Sequence, residues 1–182
     1  MALKDKKILL GVTGGIAAYK AAPLIRLFKK EQADVRVIMT NSAQNFITPL
    51  TLGVLSGNPV ATEMFDAATR NEVRHISWAD WAELTLIAPA TANIIGKAAN
   101  GIADDLLSSI ILALQCPVVF APAMHHQMWT HPAVQRNIET LKGFGYKIIE
   151  PDKGELASGD IGVGRMQEPE TILEFIKQLY NG

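Results

Sequence analysis

Short runs of apolar residues alternate with segments of helical periodicity along the chain. The first run, KILLGV at 7–12, has almost no polar alternation, as expected of a strand that is buried on both faces of a sheet. Pro89 is expected to end the run at 83–88. Strands are predicted at 7–12, 34–40, 83–88, 117–121 and 147–150.

Between these strands, apolar positions recur at a spacing that predicts helices. In the first helix, Lys29 and Lys30 suit the negative end of the helix dipole. Pro49 is expected to kink the second helix or to begin a new turn. Helices are predicted at 16–30, 44–55, 93–99, 104–114, 132–142 and 169–180, and irregular segments at 58–77 and 151–165.

Alternation of five or six strands with helices predicts an α/β fold, a doubly wound parallel sheet of the Rossmann-like type. A length of 182 residues suits a single domain covering 1–182, and 48% hydrophobic residues exclude intrinsic disorder.

Charge and cysteine content exclude several other classes of protein. A net charge of −1 argues against nucleic-acid binding. No apolar stretch approaches the roughly 20 residues that a membrane span needs. The single cysteine, Cys116, cannot form an internal disulfide, and the start of the chain reads as a strand rather than a secretion signal. We therefore expect a cytoplasmic protein.

Small and polar residues follow three strands at the edge where a doubly wound sheet binds its ligands. They occupy 40–42, 89–93 and 122–125, and a glycine-rich turn at 11–16 follows the first strand. The turn is neither the dinucleotide fingerprint nor a nucleoside triphosphate loop. Glycines bring backbone N–H groups close to a phosphate at a helix N-terminus, so a phosphate-bearing cofactor is favoured.

The four histidines do not predict a metal site. His125 and His126 are adjacent and cannot face the same way on a regular element. His131 completes no zinc-binding pattern with them, and His75 is isolated. By itself, the glycine-rich segment around Ser158 would be a flexible loop.

Six segments in order carry a resemblance to one family: GVTGGIAAYK at 11–20, His75-Ile76, PATAN at 89–93, ANGIADDLLSS at 99–109, PAMHHQMW at 122–129 and SGDIGVGRM at 158–166. Together they resemble the homo-oligomeric flavin-containing cysteine decarboxylases, over essentially the whole chain. The resemblance implies FMN as the cofactor. It also implies trimers or multiples of trimers with FMN at a subunit interface, where Trp129 and the ADDLLSS segment at 103–109 are candidate interface residues. The implied cofactor-binding residues are Gly14, Gly15, Ile16, Ser42, Phe46, Thr91, Ala92 and Asn93.

The implied reaction is decarboxylation of 4'-phosphopantothenoylcysteine to 4'-phosphopantetheine in coenzyme A biosynthesis. FMN would oxidise the substrate to a thioaldehyde, whose C=S group accepts electrons as CO₂ leaves. His75 would act near the thiol and flavin as base or orienting group, and residues 151–166 would close over the substrate as a clamp. The implied catalytic residues are His75 and Ser158, and the implied substrate-binding residues are Met124, His125, Gly159, Arg165 and Met166.

Two positions depart from the family pattern. His125 stands where the family usually has an asparagine that binds the substrate carboxylate, and a histidine can still donate a hydrogen bond there. Ser158 stands where many members have a cysteine, a stronger acid, that protonates the enethiol. Decarboxylation is therefore expected, while the final reduction needs another acid, such as water or His125, or else the product leaves oxidised.

Three other functions stay open from the sequence. The first is a peptidyl-cysteine decarboxylase that releases an enethiol, which Ser158 suits. The second is a flavin prenyltransferase, against which PAMHHQMW and GDIGVGRM weigh. The third is a non-catalytic flavin-binding regulatory subunit, against which His75 weighs. Because many relatives carry a fused phosphopantothenate–cysteine ligase, the chain is expected to be either a stand-alone protein or one domain of a longer one.

Overall fold

The computed structural model describes residues 2–64 and 74–181. Its centre is a six-stranded parallel sheet with the order β3-β2-β1-β4-β5-β6. The sheet confirms the predicted α/β doubly wound, Rossmann-like fold. Its strands are β1 (Lys7–Val12), β2 (Asp34–Met39), β3 (Val60–Ala61), β4 (Leu84–Ala90), β5 (Val118–Pro122) and β6 (Lys147–Ile148).

Helices cover both faces of the sheet. The α-helices are α1 (Ala21–Lys30), α2 (Pro49–Ser56), α3 (Arg74–Trp81), α4 (Ala92–Ala99), α5 (Leu106–Ala113), α6 (His126–Trp129), α7 (Pro132–Gly143) and α8 (Pro169–Asn181). Two 3₁₀ helices, η1 (Ile16–Lys20) and η2 (Asn41–Asn45), follow β1 and β2, and an antiparallel hairpin joins β7 (Asp152–Glu155) to β8 (Ile161–Arg165). None of the helices in the described part of the chain is long and apolar enough to cross a membrane.

Two hydrophobic cores lie on opposite faces of the sheet. Alternation along β1 sends Ile8 and Leu10 into one core and Leu9 into the other. The first core includes side chains of α1, α2 and α8, and the second includes side chains of α3, α4, α5 and α7. Both faces of the central strands are therefore covered, which explains their continuous apolar runs.

Proline positions account for two differences from the predicted elements. Pro89 does not end β4, which continues to Ala90. The register with β5 shifts between Ile87 and Ala90, and such an irregularity tolerates a residue without an N–H group. Of the two outcomes expected for Pro49, the new turn is confirmed. The helix predicted at 44–55 is not continuous, and Pro49 occupies the first turn of α2, where its missing N–H costs no hydrogen bond.

Three further predictions of local structure were wrong. Helix α3 at 74–81 overlaps the end of the segment 58–77 that was expected to be irregular, and β3 lies near its start. Residues 65–73 of that segment lie outside the described residues. Residues 152–155 and 161–165 pair as the β7–β8 hairpin instead of an irregular loop. The helix predicted at 16–30 is divided into η1 and α1.

Candidate functional site

A cavity of about 1060 Å³ opens at the carboxyl ends of the strands. It lies where β1 separates the β2–β3 half of the sheet from the β4–β6 half, the position at which ligands bind in this type of fold. Most of the predicted site residues line it. These are Gly14, Gly15, Ile16, Ser42, Thr91, Ala92, Asn93, Met124, His125, Ser158, Arg165 and Met166.

The first turn brings the ends of β1 and β2 into close contact at Gly14. A β-carbon at Gly14 would clash with the side chain of Ser42 and lie 2.8 Å from its carbonyl carbon. A β-carbon at Gly15 would meet only the Thr91 methyl carbon, at 3.6 Å. Gly14 is therefore required for the approach of Ser42 to this turn, whereas Gly15 leaves open space at the cavity wall.

Thr13, which the sequence reasoning did not single out, joins β1 to β4 at the cavity floor. Its buried Oγ1 donates to the Pro89 carbonyl over 2.6 Å and accepts from the Thr91 N–H over 3.1 Å. The sequence did offer one sign of this role, a hydroxyl residue immediately after a buried strand. The partners of that hydroxyl, however, are 76 and 78 residues away. Thr13 thus fixes the position from which α4 starts.

The N-terminus of α4 provides backbone N–H groups at the cavity. Thr91 is the N-cap, and its side chain accepts from the Ile94 N–H. The N–H groups of Ala92 and Asn93 belong to the first helical turn, where a helix supplies no internal partner. With the positive end of the helix dipole, they form a place suited to a phosphate group.

Lys97 lies at the cavity wall, and its positive charge is already paired with carboxylates of the protein. Its Nζ lies 2.6 Å from Asp104 and 2.8 Å from Asp105. Burial lowers the pKa of Lys97, but the hydrogen bonds to the two carboxylates outweigh burial and raise that pKa. Burial also raises the pKa of Asp105, and the hydrogen bonds from Lys97 and Ser108 reverse the direction. These two ion pairs connect α4 to the segment that leads into α5.

The β7–β8 hairpin meets the α6 segment through His125. The Nε2 of His125 lies 2.8 Å from Oδ2 of Asp160, and Ser158 donates to the same oxygen over 3.1 Å. These hydrogen bonds, from His125 first and Ser158 second, hold the pKa of Asp160 below its usual value. Because Nδ1 of His125 accepts from the Gln127 N–H, Nε2 carries the ring proton and donates it to Asp160.

Glycines allow this hairpin to lie directly on the α6 segment. The Met124 N–H donates to the Gly164 carbonyl over 2.9 Å. Gly164 has φ +157°, and a β-carbon there would clash with the carbonyl oxygen of Met124. A β-carbon at Gly162 would lie 2.6 Å from Cβ of His126. The spacing of glycines in GDIGVGRM is thus a packing requirement of the hairpin.

Lys20, a second residue that sequence reasoning missed, anchors the end of the hairpin. Its buried Nζ donates to the Met166 carbonyl and to Glu168, both over 2.9 Å. Arg165 donates to the same Glu168 carboxylate over 2.7 Å. Lys20 and then Arg165 lower the pKa of Glu168, whose carboxylate in turn raises the pKa of Arg165. This anchor ties the hairpin to η1, at the first turn of the cavity.

Three predicted site residues are not among those that line the cavity formed by the described parts of one chain. His75 lies half-buried in the first turn of α3. Phe46 follows η2 and is 47% exposed. Gly159 occupies the hairpin turn with φ +87°, where its N–H donates to the Leu156 carbonyl.

A family model described as Flavoprotein matches residues 1–181. Among curated proteins, the chain is 49% identical over 176 residues to the coenzyme A biosynthesis bifunctional protein CoaBC of Bacillus subtilis, a match that covers 97% of this chain and 43% of the relative. It is 49% identical over 174 residues to the CoaBC protein of Escherichia coli K12, a match that covers 96% of this chain and 43% of that relative. The chain therefore spans less than half the length of these curated relatives.

Solved structures give a similar result over nearly complete chains. A cysteine-to-serine mutant of PPC decarboxylase complexed with pantothenoylaminoethenethiol has a TM-score of 0.87 and 34% identity, covering 98% of this chain and 100% of that one. The FMN-dependent cysteine decarboxylase SpaF has a TM-score of 0.85 and 30% identity, with both chains covered completely.

Proposed function

The chain belongs to the flavin-containing cysteine decarboxylases of the Flavoprotein family, and on that premise we propose that it binds FMN and decarboxylates 4'-phosphopantothenoylcysteine to 4'-phosphopantetheine. The single observation that carries the proposal is one cavity at the switch point of the sheet that combines a glycine turn, a helix N-terminus and a polar hairpin. The CoaBC relatives and the PPC decarboxylase neighbour support the same substrate.

The residues of the cavity fit FMN. Its phosphate suits the N–H groups of Ala92 and Asn93 at the start of α4. The open wall at Gly15 leaves room for a flat ring, because only the Thr91 methyl group lies near the missing β-carbon. A volume of about 1060 Å³ is enough for a cofactor and a substrate together.

When bound, FMN would supply the two-electron oxidation of the substrate thiol that makes loss of CO₂ possible. The chain itself orients the substrate. His125 presents the N–H of Nε2, now bonded to Asp160, and in our proposal the substrate carboxylate replaces Asp160 as the acceptor. Arg165, at the cavity wall, adds a positive charge for the acidic substrate. The hairpin, tied down by Lys20, covers the reacting atoms and excludes water.

Ser158 is the proposed proton-handling group at the cavity, and its hydroxyl is bonded to Asp160. A serine hydroxyl is a far weaker acid than the cysteine thiol found here in many relatives. We therefore expect decarboxylation to proceed and the reduction of the enethiol to be slow. A Ser158→Cys variant should increase the proportion of fully reduced product.

We further propose a homo-oligomer, a trimer or a multiple of trimers, in which His75 reaches the cavity of a neighbouring copy. Large apolar side chains are exposed on the chain, including Ile16 at the cavity wall at 61%, Phe46 after η2 at 47% and Leu50 in α2 at 76%. Burying such a surface against another copy is favourable. A sedimentation measurement that finds only monomers at micromolar concentration would contradict this assembly.

Because the CoaBC relatives are bifunctional, a phosphopantothenate–cysteine ligase, fused or separate, is the proposed functional partner. It would supply the substrate by joining phosphopantothenate to cysteine. The proposed role also implies a cytoplasmic location.

Comparing two substrates tests the proposed function. FMN-loaded protein is given 4'-phosphopantothenoylcysteine or a peptide ending in cysteine, and kcat/KM is measured for each. We expect turnover of the first and its loss in His75→Asn, with His131→Asn as the matched control that retains a side-chain acceptor at the α7 N-cap. Turnover of only the peptide would support the peptidyl-cysteine alternative, and turnover of neither would favour a non-catalytic flavin-binding role.

A further inference from the structure

Three side chains of types that can bind metal ions meet where the hairpin contacts α6. They belong to His125, His126 and Asp160, and one potential ligand atom from each lies within 4.8 Å of the other two. The tightest pair is Nε2 of His125 and Oδ2 of Asp160, at 2.8 Å. The hairpin supplies the carboxylate and the α6 segment supplies both imidazoles, so the group joins the two elements.

The two histidines come together because His125 is not part of the helix. It is the N-cap of α6 with ψ 147°, and His126 is the first helical residue. The centroids of their rings are 4.3 Å apart. The expectation that adjacent histidines face apart holds within a regular element, and the cap conformation removes that condition.

His126 carries a second, independent sign of a missing partner. Its Nδ1 is buried and has no hydrogen-bond partner within the described residues. The ring packs on the hairpin at Gly162, where a β-carbon would lie 2.8 Å from Cγ of His126. A buried polar nitrogen without a partner costs free energy, and such groups in native proteins often mark a bound ion or water.

We propose that His125, His126 and Asp160 bind a divalent transition-metal ion of the zinc class, with water completing the coordination. Two imidazoles and one carboxylate are a ligand set that zinc takes in proteins. A tetrahedral ion with bonds of about 2.1 Å holds its ligands roughly 3.4 Å apart. Since every separation is within 4.8 Å, no pair has to close by more than about 1.4 Å, a change on the scale of side-chain rotation.

Metal binding changes the hydrogen bonding of His125. Ligation through Nε2 displaces the proton now shared with Asp160 and leaves the ring proton on Nδ1. Nδ1 then can no longer accept the hydrogen bond that the Gln127 N–H now donates to it over 3.3 Å. This cost keeps the affinity moderate. The bound ion would hold the hairpin against α6 and withdraw His125 from the substrate, so it would inhibit decarboxylation.

Calorimetric titration with ZnCl₂ tests the site without substrate. FMN-loaded protein is freed of metal with a chelator and titrated as wild type, His126→Phe, Asp160→Asn and His131→Asn. The phenylalanine keeps the ring that packs on Gly162 and removes its nitrogens. We expect one zinc ion per chain and a loss of affinity of more than about 10-fold in the first two variants, because even partners outside the ligand set are worth about 10- to 100-fold. His131→Asn should bind zinc like the wild type.

Absence of zinc binding, or equal affinity in the wild type and His126→Phe, would overturn the proposal. Asp160→Asn, a change on the exposed turn, keeps the test valid if His126→Phe fails to fold. Because zinc binding and metal-free decarboxylation are measured separately, failure of the zinc site leaves the proposed function standing. Failure of decarboxylation would equally leave a zinc site measurable.

Discussion

Replacing Gly14 with alanine should disturb the first turn, whereas the same change at Gly15 should not. The added methyl carbon at Gly14 would lie 2.8 Å from the Ser42 carbonyl carbon and 3.0 Å from its oxygen. Carbon atoms in good contact are separated by at least about 3.5 Å, so one of the two turns has to move by at least about 0.7 Å. The obstruction is backbone, which no rotamer change removes. Gly14 is not among the residues with positive φ, so steric overlap is the cause.

Overpacking of this kind costs about 1–3 kcal/mol. At about 1.4 kcal/mol for each factor of ten, this corresponds to roughly a 5- to 150-fold change in an equilibrium constant. If the turn stays in place, the free energy of unfolding falls by this amount. If Ser42 moves away, the cavity wall is displaced and FMN binding weakens instead.

Urea unfolding of FMN-free protein and fluorescence titration with FMN together measure the cost in Gly14→Ala. Gly15→Ala is the matched control, since its methyl group would meet only the Thr91 methyl carbon, at 3.6 Å. That variant should retain the wild-type free energy of unfolding or gain up to about 1 kcal/mol from the stiffer unfolded chain. Because Gly15 faces the proposed flavin position, its variant is a control for unfolding only. Equal free energies of unfolding in the two variants, together with wild-type FMN affinity in Gly14→Ala, would refute the assignment of Gly14 to a close approach.

Three further predictions concern Thr13, Glu168 and Cys116. Thr13→Val should lower the free energy of unfolding by about 1–3 kcal/mol, because the backbone groups that the hydroxyl bridges lose their partner; an unchanged urea midpoint would contradict this. Glu168, whose pKa is lowered by Lys20 and then Arg165, stabilises the fold above pH 4.5, and this contribution disappears as the pH falls through the lowered value. Thermal unfolding between pH 6 and pH 3 should thus depend less on pH in Glu168→Gln, and parallel profiles would argue against the Lys20 anchor. Burial raises the pKa of the Cys116 thiol, so iodoacetamide should label this thiol slowly at neutral pH. The Cys116→Ala variant should keep wild-type decarboxylation. Rapid labelling or loss of activity would contradict a structural role for Cys116.

Local sequence patterns were sufficient where a single physical effect dominates. The strand at Lys7–Val12 was predicted at its observed bounds because burial on both faces requires a continuous apolar run. The floor of the site could be predicted from the same sheet. Thr91, Met124 and their neighbours come after predicted strands, and the carboxyl ends of parallel strands lie along one edge.

Elements that depend on distant contacts could not be predicted in this way. The hairpin at 152–165 has exposed strands with little apolar alternation, and it is positioned by glycines that pack on Met124 and His126. The local pattern did not distinguish Lys20 within the predicted helix at 16–30, but Glu168, 148 residues away, pairs with it. β4 continues past Pro89 because of its irregular register with β5. Each of these features is set by a partner that sequence spacing does not identify.

Anaerobic reaction with 4'-phosphopantothenoylcysteine tests the central claim most directly. Protein purified with FMN is mixed with the substrate, and flavin absorbance and product mass are followed together. We predict flavin bleaching and a product that has lost CO₂, part of it lighter than 4'-phosphopantetheine by two hydrogens because Ser158 is a poor acid. Protein that cannot bind FMN, or FMN-loaded protein that leaves the substrate unchanged, would contradict the account.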